Sequence, residues 1–173
     1  MKLSSEQFHN GYLAFAFIRG INLVIENDIR KLLKHYELSF PAFRILWILH
    51  FDSNHINMSD LSYLAQTNIS NVFRQLTKLK EEGLVIIENG HDARTKEVCL
   101  TEGGRKLVQE FIEENTTNSN LQIVESIAKI SKEDFSKFIE VFTLLSDELL
   151  GKQYGDFLTK SSNAILNKSI NTS

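Results

Sequence analysis

Apolar and polar positions alternate with three distinct rhythms along this chain. From about Ser5 to Tyr36 there is no proline, and the run Tyr12–Ile25 is apolar on nearly every side. This predicts one long helix that needs cover on several faces. Ser39 and Pro41 then restart the chain, a serine cap followed by a proline suited to a first helical turn. Phe43, Leu46, Trp47 and Leu49 continue that helix to about Phe51, and the polar stretch from Asp52 to His55 reads as a loop. Ser59 is placed to cap a short helix, Asp60–Gln66, with Leu61, Leu64 and Ala65 on its buried side. Thr67 and Asn68 make a turn, and Asn68 caps a helix that runs to about Glu82 and stops at Gly83. In that helix Ile69, Val72, Leu76 and Leu79 recur at steps of three and four, which predicts a buried stripe.

The rhythm then shortens. Leu84–Glu88 is rich in β-branched residues, Asn89–Thr95 is a polar tip with a glycine, and Lys96–Leu100 alternates. Two strands around such a tip predict a β-hairpin. Thr101 caps the next helix, which holds Leu107, Phe111 and Ile112 and bends or frays near residues 115–120. Ser131-Lys132-Glu133-Asp134 has the form of a capping box and opens a helix with Phe135, Phe138, Ile139, Phe142 and Leu145. Beyond Gly151 the pattern supports one short helix around Phe157, Leu158, Ala164 and Ile165, with residues 168–173 loose. The chain contains no internal repeat and no low-complexity linker. Two short helices joined by a tight turn and followed at once by a hairpin are the plan of a winged helix-turn-helix. The fold expected is mainly α with a small β-hairpin wing, flanked by N- and C-terminal dimerisation helices. Its divisions fall at residues 1–38, 39–101 and 102–173.

Composition narrows the chemistry. One proline and eight glycines in 173 residues favour long helices over a many-turned β sandwich. The single cysteine, Cys99, excludes an internal disulfide framework and a multi-cysteine zinc site, and fits a cytoplasmic location. The apolar run Tyr12–Ile25 is shorter than the ~20 residues of a membrane span, and Arg19 and Asn22 interrupt it. It is preceded by Glu6 and not by a basic cluster, so it does not read as a signal peptide either. No Gly-rich phosphate loop, His-Glu-x-x-His pattern or Cys-x-x-Cys pair is present, which argues against an enzyme. His9, His35, His50, His55 and His91 are scattered, so no metal and no cofactor is expected. Cys99 lies between Val98 and Leu100, which should point inward, so its thiol should face the other way. With Lys96 its only basic neighbour, nothing suggests an activated thiol.

The predicted helix after Asn68 has a second chemistry on its outer face. Ser70, Asn71, Arg74, Gln75 and Lys78 are the residue types that read base edges and neutralise phosphate in a major groove. A polar outer face is also what any surface helix shows. The hairpin tip adds Asp92 and Arg94; an arginine on a protruding ribbon suits a narrow minor groove, and Asp92 is placed to brace it. Residues 68–106 carry seven Lys and Arg against six Asp and Glu, a local +1 in a chain of net charge −3. A basic face must therefore come from placement rather than from bulk charge.

From Asn57 to Gly104 the chain resembles the MarR family of winged helix-turn-helix regulators. The matching stretches are Met58-Ser59-Asp60-Leu61-Ser62-Tyr63-Leu64-Ala65, Ser70-Asn71-Val72-Phe73-Arg74 with Leu79–Val85, and Asp92-Ala93-Arg94 followed by Val98–Gly104. The last is the most specific, because Asp, Arg, Leu-Thr and Gly fall in register together. Ser62, Gln66, Phe73 and Ala93 depart from the family's usual residues. Phe73, the stretch Ile45–Ile48 and the long C-terminal tail are similar to the Hpr (ScoC)-like subgroup. The resemblance implies a homodimeric transcriptional repressor that binds double-stranded DNA at a pseudo-palindrome, without a membrane role and without an obvious small-molecule effector. Asn68, Ser70, Asn71, Arg74, Gln75, Lys78, Asp92 and Arg94 are the expected DNA contacts. The alternative is a protein-interaction module that kept the fold and lost specific DNA binding.

Overall fold

The computed structural model describes residues 4–52, 56–89 and 96–171. Helix α1, Ser5–Leu33, begins at a capping box in which Ser4 and Gln7 satisfy each other's backbone N–H groups, and a 3-10 turn over Lys34–Tyr36 ends it. Helix α2, Phe40–Phe51, starts at Ser39, whose hydroxyl accepts from the Ala42 N–H, with Pro41 in the first turn. A two-residue strand β1, Ile56–Asn57, leads into α3, Met58–Leu64, and α4, Ile69–Glu81. Strands β2, Val85–Asn89, and β3, Lys96–Leu100, follow. Four further helices complete the described chain: α5 Glu102–Thr117, α6 Gln122–Ile127, α7 Lys132–Leu149 and α8 Lys152–Asn171.

The sheet is antiparallel in the order β1-β3-β2, with Ile56 opposite Val98 and Val85 opposite Leu100. The third strand, β1, was not expected; two residues are too few to carry a period. Its start also moves the cap of α3. Asn57, not Ser59, accepts from the N–H groups of Ser59 and Asp60, so α3 begins two residues earlier than expected. At the C-terminus the expected short helix is instead a 20-residue helix, α8, that takes in the first part of the expected loose tail as far as Asn171; residues 172–173 lie outside the described residues. It packs against α7 and α2, and its partly buried Tyr154, Phe157, Ala164 and Ile165 rest on the core. The short helix α6 follows the expected bend near residues 115–120 and was not itself expected.

The core sits beneath the helix-turn-helix. Leu33, Leu46, Leu61, Val72, Leu76, Leu79 and Val108 are completely buried there, and α2 runs through the middle. Two hydrogen bonds fasten the C-terminal helices to this core. The Tyr63 hydroxyl of α3 donates to the Leu150 carbonyl at the α7–α8 corner, at 2.5 Å. Arg44 of α2 lies 3.3 Å from the Tyr154 hydroxyl of α8. A third tie holds α6 to α1: Asp28, almost fully buried, accepts from both the backbone and side-chain N–H groups of Gln122 and from Lys31. The bond from Lys31 holds the Asp28 carboxyl below the usual range, outweighing the opposing effect of burial.

Two glycines set the angle between α4, the wing and α5. Gly83 has φ of 72°, a left-handed conformation that lets its N–H reach Lys80 and lets Leu84 N–H reach the Leu79 carbonyl. At Gly104 a Cβ would stand 2.2 Å from the Leu84 carbonyl oxygen. Thr101 completes the corner: its hydroxyl donates to the Gly83 carbonyl at 2.7 Å and accepts from the Gly104 N–H at 3.1 Å. The Leu-Thr-x-x-Gly pattern is thus a backbone crossing that only glycine permits.

Candidate nucleic-acid interface

Helix α4 is strongly two-faced. Its buried side is Val72, Gln75, Leu76 and Leu79, spaced 3, 1 and 3 residues apart in one stripe against α2 and α3. This corrects two expectations at once. Ile69, expected in the core, is half exposed. Gln75, expected to reach bases, is only 6% exposed, and its amide oxygen accepts from the Ser39 hydroxyl at the start of α2, 3.3 Å away. Gln75 lies three residues after Val72 and four before Leu79, so it occupies a core position by helical geometry, and its amide oxygen is satisfied inside by Ser39.

Asn68, Ser70, Arg74 and Lys78 lie exposed, and Ser70, Arg74 and Lys78 follow one another at four-residue steps along the outer face. Asn68 is the cap, its side chain accepting from the Asn71 N–H at 2.8 Å. Asn71 is half-buried; its amide donates to Thr67 Oγ1 at 2.9 Å, and its oxygen accepts from Arg74 Nη2 at 2.7 Å. This bond ties the guanidinium of exposed Arg74 to Asn71 on the outer face, and a guanidinium carries further N–H donors suited to a planar acceptor pair. The acids Glu81 and Glu82 fall at the far end of the helix. Asp92 and Arg94, together with His91, lie outside the described residues. Lys96, at the first position of β3, is exposed and lines a shallow groove with Ile69 and Phe73 of α4, a cation outside the set expected from α4 and the hairpin tip.

Cys99 is half-buried on the strand between inward Val98 and Leu100, as expected. Its thiol pKa is raised, chiefly by burial and then by Glu88 and Glu97, so it stays protonated near neutrality. Among the described residues no group of three or more His, Cys, Asp or Glu side chains converges as a metal site. Nor is any described helix long and apolar enough to cross a membrane.

The arrangement has clear relatives. No protein-family model matches the chain. The HTH-type transcriptional regulator Hpr of Halalkalibacterium halodurans is 32% identical over 144 residues, 82% of this chain and 72% of that protein. The chain belongs to the MarR family of winged helix-turn-helix transcriptional regulators, on its Hpr-like branch. The DNA-binding transcriptional repressor ScoC of Bacillus subtilis is 29% identical over 135 residues, covering 76% of this chain and 63% of ScoC. The HTH-type transcriptional repressor IacR of Pseudomonas putida is 26% identical over 111 residues, 64% of this chain and 66% of IacR. The matches span between 61% and 74% of the Hpr, ScoC and IacR relatives' own lengths. Among solved structures, AbsC, a MarR family regulator of Streptomyces coelicolor, superposes with a TM-score of 0.70 at 19% identity, over 88% of this chain and 99% of AbsC. The MepR–DNA complex of S. aureus gives 0.67 at 18% identity, over 78% of this chain and 96% of MepR. These likenesses fix the winged helix-turn-helix fold. The relatives are regulators and not enzymes, which agrees with the absence of catalytic motifs.

Proposed function

We propose that this MarR-family regulator is a repressor that binds a pseudo-palindromic operator as a homodimer. The observation that carries the reading is the outer face of α4, where Ser70, Arg74 and Lys78 form one exposed row and Asn71 holds Arg74 in place. A helix at this position in a winged helix-turn-helix enters the major groove with its N-terminal residues against base edges. Ser70, Asn71 and Arg74 are the base-reading residues and Lys78 a phosphate contact; Asn68 orders the helix start. Arg94 is the proposed minor-groove contact, and Asp92 the residue expected to orient it. Repression is supported by the names of ScoC and IacR.

Homodimerisation is supported by apolar surface that the chain leaves uncovered at both ends. Phe15, Phe17 and Ile21 on α1 and Phe138, Phe142 and Leu145 on α7 are all exposed. The two-fold axis of such a dimer demands half-sites about one helical turn apart.

Binding titrations on duplexes from upstream of the protein's own gene, at several salt concentrations, test the reading. Arg74→Ala should cost about 1–3 kcal/mol on the selected site and little on random DNA. Arg94→Ala should weaken binding broadly and reduce the salt slope by about one. Equal losses on both kinds of DNA for Arg74→Ala would make it a phosphate contact only. Unchanged affinity and slope in folded Arg94→Ala would remove the wing from the interface.

A further inference from the structure

Helix α4 departs from a polar outer face at two positions. Phe73 is 56% exposed and Ile69 50% exposed, four residues apart and so on one side of the helix. They flank the row of Ser70, Arg74 and Lys78. The groove they open onto is bordered by the first turn of α3, with Asn57 and Ser59, and by Lys96 of β3. Asp60, the one acid there, lies 2.8 Å from the Asn57 amide and accepts its hydrogen bond.

A single exposed apolar side chain needs no explanation. Here there are two in register, and they stand at the first and fifth residues of the helix, its N-terminal half. Cations border them on both sides, Arg74 on the helix and Lys96 on the strand. An apolar step set among cations suits a surface that is anionic overall yet presents isolated methyl groups. The major groove is such a surface: the C5-methyl of thymine is the apolar feature of its base edges, and phenylalanine is among the side chains that contact it. At 1.5 Å of rise per residue, the two side chains are about 6 Å apart along the helix axis. For a helix laid along the groove this is nearly two base steps of about 3.4 Å.

We propose that Phe73, with Ile69 beside it, reads thymine in each half-site through contacts with C5-methyl groups. This rests on α4 being the DNA-reading helix. It assigns sequence selectivity to two residues that make no hydrogen bond to a base, alongside the hydrogen-bonding work of Asn71 and Arg74.

Exchange of thymine for deoxyuridine removes the methyl and leaves the pairing edge intact, so it isolates this contact. The wild-type protein first selects duplexes from a random pool; each thymine of the selected half-site is then exchanged in turn. At one or two positions the exchange should weaken binding about fourfold, the effect of one buried carbon group. Phe73→Ala should bind less tightly overall and should no longer distinguish thymine from deoxyuridine at one of these positions. Ile69→Ala should do the same at the other. Both side chains are half exposed, so circular dichroism should be unchanged. Indifference of the wild type to every exchange overturns the proposal while leaving DNA binding in place. So does a Phe73→Ala protein that keeps the wild-type preference at every position. Failure to select any duplex overturns the DNA-binding reading itself and this proposal with it.

Discussion

At the scale of single residues, the side chains of α4 divide by helical phase more sharply than by chemistry. Gln75 is a polar residue in the core stripe, and Ile69 and Phe73 are apolar residues outside it. The sequence made the stripe visible but not its exact rotation. Ile69 and Val72 are three apart and fit a shared face, so only the packing of α2 shows that the stripe passes through Gln75 instead. Gln75→Ala removes the acceptor for Ser39 and opens a small void. It should therefore destabilise the fold by about 1–3 kcal/mol in urea melts. Its preference among DNA sequences should stay that of the wild type; altered preference in a stable Gln75→Ala protein would return this residue to the interface. Arg74, Lys78 and Asn71 stood out less by themselves, since any surface helix shows a polar outer face, than by their place between a capped turn and a hairpin. Asp92 and Arg94 were expected from the hairpin tip and the wing pattern, and they lie outside the described residues.

At the scale of elements, caps and glycines did most of the work. Ser39, Asn68, Thr101 and Ser131 all cap the helices expected of them. The misses share a cause: β1, α6 and the start of α3 are too short for a period to register, so tertiary pairing decides them. The full length of α8 escaped for a related reason, since its apolar face is sparse and is fixed by α7 and α2. The corner between wing and α5 is the most demanding element. Gly104→Ala forces a methyl against the Leu84 carbonyl and should lower stability by about 1–3 kcal/mol, seen as an earlier thermal transition. Gly103→Ala, whose nearest added contacts are 3.7 Å or more away, is the matched control and should be mild.

The contact between α1 and α6 has a pH signature. Asp28 titrates below its ordinary value in the folded protein because it accepts from Lys31 and Gln122. A depressed carboxyl stabilises above the unfolded value of about 3.9, and that stability is lost as pH falls through the folded value. Asp28→Asn should therefore melt at a lower temperature than wild type from pH 5 to 8, and the two curves should converge below about pH 4. A gap that persists unchanged into acid would mean that the carboxylate's charge does not matter to this joint.

At the scale of the whole molecule, the apolar faces of α1 and α7 predict that the isolated chain does not persist. Light scattering at micromolar concentration should give twice the chain mass. Phe138→Glu, at a position half exposed in the single chain, should shift the protein toward monomer while its helical circular dichroism is retained, and DNA affinity should fall with it. A wild-type monomer at that concentration would remove the two-fold argument for a palindromic operator. The bonds from Tyr63 to Leu150 and between Arg44 and Tyr154 then take on a mechanical meaning. They join the α7–α8 corner to the helices that carry α4 without an intervening slack loop. In the proposed dimer such a joint would work as the pivot of a calliper: the C-terminal arm would set the opening, and α4 would only mark it. The spacing between half-sites would then be a dimension written into α7 and α8, and a substitution there would change the length of DNA that is measured without touching a base.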